Sequence, residues 1–103
     1  MSRDTKARLE AAGFRETNIR ELLGLTDEQV EFIETRLALA RLVKRLRGAR
    51  HMSQATVAKL LDSDQANVSK AEHNDSSISI DWMVRAALAL GANRKDIALA
   101  ISS

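Results

Sequence analysis

Residues 52–72 read MSQATVAKLLDSDQANVSKAE, and this stretch decides the fold. Ser53 suits an N-cap, because its hydroxyl can accept a bond from a first-turn N–H that has no partner inside the helix. Val57, Ala58 and Leu61 follow it at helical spacing. Asp62 and Ser63 interrupt that pattern, and Asp64 can cap a second helix whose inward positions are Val68 and Ala71. Its outward face carries Gln65, Ala66, Ser69 and Lys70, which are small or hydrogen-bonding and include nothing bulky and apolar. Two short helices this close, the second with a polar outer face, make a helix-turn-helix unit.

The run S-Q-x-x-V-A-x-x-L followed by D-Q-A-N-V-S-K-A-E resembles the helix-turn-helix of the Xre/Cro/phage-repressor family of bacterial and phage DNA-binding regulators. In that family the first helix opens with Ser/Thr-Gln, here Ser53-Gln54. The second opens with a cap followed by Gln, here Asp64-Gln65, and ends in Val-Ser-Lys/Arg-x-Glu, here Val68, Ser69, Lys70 and Glu72. At the level of architecture the resemblance covers Arg41 to Ile101. It implies a lambda-repressor-like, all-α domain of five helices. The family usually has Gly where this chain has Asp62 and Asn74, and an aspartate or asparagine tolerates left-handed backbone better than most residues. Ala71 stands where the family has Ile or Leu, and His51 at a helix end where it often has Gly.

Further along the chain the same grammar continues. A short helix over Thr5–Ala12 can stop at Gly13, and a second over Thr17–Leu23 at Gly24. Thr26-Asp-Glu-Gln29 reads as a capping box that starts a long helix to about Arg50. That helix carries two apolar stripes, Val30, Ile33, Leu37, Ala40 and Val43 on one and Leu39, Leu42 and Leu46 on the other. A second stripe predicts a second cover, supplied by the N-terminal helices or a partner subunit. Asp81 is expected to cap a helix ending at Leu90–Gly91. Asn93, with Asp96 three residues on, is expected to cap a last helix with Ile97, Ala98 and Ile101 inward. The expected organisation is a helical extension over 1–25 and the helix-turn-helix domain over 26–103.

At 103 residues the chain is long enough for one core, and with only three aromatics that core must be aliphatic. The absence of proline and of period-2 alternation favours helices throughout. No cysteine means no disulfide and no thiolate metal site. A charged stretch after Met1 and no long apolar run predict neither signal peptide nor membrane span, and a cytoplasmic protein. The net charge of +2 hides an uneven distribution. From Thr35 to Leu61 there are seven basic residues and no acidic one, whereas residues 1–34 hold eight acidic against five basic. The basic block adjoins the motif, where a phosphate backbone would run.

Enzyme chemistry finds little support. His51 and His73 have no metal-ligand spacing, Ser69 has no neighbouring base, and the glycines are too scattered for a phosphate loop. Neither a metal nor a cofactor is expected. A solvated helix face would explain Gln65 and Lys70 equally well were they not in the motif.

With the resemblance, Gln65, Ala66, Ser69 and Lys70 are the expected base contacts, and Gln54, Asn67, Arg50 and Lys59 the backbone contacts. Arg47 shares the stripe of Ala40 and Val43, and in the resembled family its match pairs with that of Glu72 in a partly buried ion pair. The function implied is a homodimeric repressor on a two-fold operator in double-stranded DNA. Two alternatives remain open. One is an antitoxin that neutralises an RelE-like toxin and represses its own operon. The other is an interaction module that kept the fold and lost DNA binding.

Overall fold

The computed structural model describes residues 21–103. Five complete helices follow one another there: α1 (Asp27–Ala49), α2 (Gln54–Leu60), α3 (Gln65–Glu72), α4 (Ile80–Ala89) and α5 (Arg94–Ser102). No strand occurs among the described residues, as an all-α fold requires. The helix expected over Thr5–Ala12 and the start of that over Thr17–Leu23 lie outside them. Residues 21–23 are helical, and Gly24 ends them at φ +65°. No described helix is long and apolar enough to cross a membrane.

The chain divides into two compact units, residues 1–37 and 38–103. In the first, the capping box closes both ways: Thr26 N–H donates to Gln29 Oε1 at 2.8 Å and Gln29 N–H to Thr26 Oγ1 at 3.2 Å. Two N–H groups that the helix cannot satisfy are thereby used. Leu25, Glu28, Gln29, Phe32 and Ile33 line an open groove.

In the second unit the core has two adjoining parts. Leu42 and Val43 of α1 cluster with Val57 and Ala58 of α2, Val68 of α3, and Ala86, Ala87 and Leu90 of α4 and its end. Leu39 and Ala40 cluster with Ala71, Ile78 and Met83, and Trp82 packs against both parts. This corrects the expected cover of the second stripe of α1. Leu39 and Leu42 are buried, and Leu46 partly so, by the helix-turn-helix and α4. Here α1 lies deep enough for side chains over more than a third of its circumference to reach the core. Small residues at Ala58, Ala71, Ala86 and Ala87 permit that approach.

Two further expectations are corrected. Ser79, not Asp81, caps α4: its Oγ accepts from Trp82 N–H at 3.0 Å, and Asp81 falls inside the first turn. On α5 it is Ile97 and Ala100 that pack on the core, while Ala98 is exposed and Ile101 is 42% exposed. The Asn93–Asp96 capping box fixes the start of α5 at Arg94, and residues three apart, 97 and 100, then face inward.

Four helices end in the same way. The N–H groups of Met52, Ser63, Asp75 and Ala92 each bond back five residues, to the carbonyls of Arg47, Ala58, Lys70 and Ala87. Those of His51, Asp62, Asn74 and Gly91 bond back three. This is the Schellman arrangement, which requires left-handed backbone at its turning residue. Only one of the four is glycine; His51, Asp62 and Asn74 adopt φ of 54°, 51° and 55°.

Candidate nucleic-acid interface

Both helices of the motif start on a side-chain cap. Ser53 Oγ accepts from Thr56 N–H at 3.1 Å and Asp64 Oδ1 from Asn67 N–H at 2.8 Å. Val57, Val68 and Ala71 are fully buried, so the inner sides of both helices are committed to the core. The opposite side of α3 exposes Gln65, Ala66 and Lys70, with Ser69 half-buried. By helix geometry these four fan over about 140° of one surface. Ser69 also lends its carbonyl to the helix end, where it accepts from His73 N–H at 3.1 Å and from His73 Nδ1 at 2.7 Å. A carbonyl can only accept, so the ring proton sits on Nδ1.

The residues expected at the phosphate backbone are less uniform. Lys59 and Arg50 are exposed, and the Arg50 guanidinium lies near the α4–α5 turn, its Nη1 3.9 Å from where a Cβ on Gly91 would sit. Asn67 is half-buried and its Nδ2 donates to Ser63 Oγ at 3.1 Å, which fastens it to the turn. Gln54 is half-buried and its Nε2 donates to Glu72 Oε1 at 3.4 Å.

Beneath this surface, Arg47 and Glu72 pair side by side. Arg47 Nε donates to Glu72 Oε2, Nη2 to Oε1 at 2.8 Å, and Nη1 to the Met52 carbonyl at 3.0 Å. All three guanidinium nitrogens are used, and they join α1 to the turn before α2 and to the end of α3. Burial pushes the Glu72 carboxyl up. Hydrogen bonds from Arg47 and Gln54, with the charges of Arg47 and Lys44, outweigh that and hold it below its ordinary range. The Met52 carbonyl, Ser63 and Lys44 are participants that sequence reasoning did not single out. Met52 acts through its backbone and Lys44 through its charge on a residue of another helix, so residue type gave no signal for them, whereas Ser63 lies four residues from Asn67, within reach of a local reading.

Two capped helices around a buried inner face, with a fan of hydrogen-bonding side chains outside, match what a family comparison finds. The helix-turn-helix domain family (HTH_37) matches residues 9–95. This chain belongs to that family. No curated protein and no solved structure matches the chain. As a helix-turn-helix protein it carries a DNA-binding module over most of its length. The match takes in all of α1 to α4 and the start of α5.

Proposed function

We propose that this helix-turn-helix protein is a sequence-specific transcriptional regulator of the Xre/Cro type, a repressor that binds a two-fold operator as a homodimer. The observation that carries this reading is the division of α3. Val68 and Ala71 are fully buried, while Gln65, Ala66 and Lys70 stand exposed on the side away from the core. A helix so divided can enter a major groove without disturbing the fold, and an amide, a methyl and an ammonium are the groups that read base edges there. Arg50, Lys59 and the exposed Arg41, Lys44 and Arg45 supply positive charge for phosphates. Selection of duplexes from a randomised library, followed by titration at two salt concentrations, tests the reading. One enriched palindromic site with salt-dependent affinity supports it; no enrichment overturns it.

One observation favours a second reading, the antitoxin. The groove at Leu25, Phe32 and Ile33 exposes 56% of Phe32, and residues 21–35 carry five acidic side chains and no basic one. Such a surface repels DNA and suits a protein partner. Stable co-purification with the product of the neighbouring gene would favour the antitoxin over the free-standing repressor.

A further inference from the structure

Glu72 Oε1 accepts from side chains on two other helices, Arg47 of α1 at 2.8 Å and Gln54, the first residue of α2, at 3.4 Å. The Glu72 side chain is only 3% exposed, so its position is set by the fold rather than by solvent. A primary amide has two N–H groups. Gln54 commits one to this carboxylate, which leaves the other for a ligand. At 3.4 Å the bond is long, so it contributes orientation more than stability. An untethered glutamine would have to lose its rotamer freedom on meeting DNA; a tethered one has lost it already.

We infer that Glu72 is a positioning residue for DNA binding, holding the Gln54 amide for contact with a phosphate oxygen. Glu72 closes α3, and Arg47 also bonds the Met52 carbonyl just before α2. One carboxylate therefore sets the spacing between a backbone contact on α2 and the base contacts on α3. This rests on the reading of Gln54 as a backbone contact, and the test separates the two.

The test is a double-mutant cycle on the full chain, with Gln54→Ala, Glu72→Gln and both together, titrated against the duplex selected from the library. The expected result is a loss of roughly 2- to 12-fold for Gln54→Ala, the worth of one hydrogen bond, equal on preferred and scrambled sequences. Glu72→Gln should lose affinity too, and the double variant should be no weaker than the weaker single one. Strictly additive losses would overturn the positioning role while leaving the Gln54 contact in place. An unchanged affinity for Gln54→Ala would remove the contact itself, and the inference with it. Where Glu72→Gln does not melt cooperatively, Glu72→Asp takes its place in the cycle, since it keeps the charge for Arg47 but withdraws the carboxylate from Gln54.

Discussion

Arg47 and Glu72, 25 residues apart, form a two-bond ion pair in which the Glu72 side chain is 3% exposed and that of Arg47 21%. The two sides of this pair differ in what each loses when its partner goes. Without Glu72, Arg47 keeps the Met52 carbonyl and some water. Without Arg47, Glu72 keeps, among the described residues, the long bond from Gln54 and the charge of Lys44. Arg47→Ala should therefore cost more than Glu72→Ala: about 3 kcal/mol against about 1–2 kcal/mol, at the lower end of what a stranded buried charge costs. Chemical denaturation of both variants checks the order. Equal losses would show that water reaches Glu72 as readily as Arg47.

The pair also makes stability depend on acid. Glu72 has a folded pKa below its unfolded one, so between the two values the unfolded chain binds more protons. Its contribution is complete above the unfolded value of about 4.3 and is lost as pH falls through the lower folded value. Melting temperatures measured from pH 6 downward should fall less steeply below about pH 4.3 for Glu72→Gln than for the unaltered chain. Parallel curves would mean that Glu72 titrates alike in both states.

At the helix ends, Asp62 and Asn74 hold left-handed backbone that glycine adopts without a Cβ clash. Asp62→Gly and Asn74→Gly should each raise stability by up to about 1 kcal/mol, the relief of strain being partly offset by the greater freedom of glycine in the unfolded chain. Asn74→Gly also removes a buried side-chain oxygen that has no hydrogen-bond partner among the described residues. Thermal melts decide this, and a drop for both would show that the side chains contribute more than the backbone strain costs.

On DNA, Gln65 and Lys59 should behave differently. Gln65 can set both amide atoms against the N6 and N7 edge of adenine, so Gln65→Ala should lose about 1–3 kcal/mol on the preferred site and relax choice at one base pair. Lys59→Ala should weaken all sequences alike and make the salt dependence shallower by about one unit of slope. Library selection with each variant at two salt concentrations distinguishes them. An unaltered sequence preference in Gln65→Ala would place the reading surface elsewhere than α3.

What residue order alone determined is whatever is local. Ser53, Asp64, Asn93 and the Thr26–Gln29 box cap helices where their side chains lie within three residues of the N–H groups they satisfy. The inward Val68 and Ala71 were legible for the same reason, because a helical repeat fixes which residues share a face. At the start of α4 the sequence points to Asp81, and the cap is Ser79, two residues earlier, because both side chains have the chemistry and only the backbone entering α4 chooses. Tertiary structure decided which apolar residues find cover. Ala40 and Val43 of one stripe of α1 and Leu39 and Leu42 of the other are buried together because α2, α3 and α4 approach that part of the helix, and that depends on contacts between residues far apart in the chain. It also decided that Gln54 is held by Glu72 rather than standing free. Side-chain hydrogen bonds of that kind depend on distances of a few tenths of an ångström between separate elements, and no spacing along a single helix encodes them.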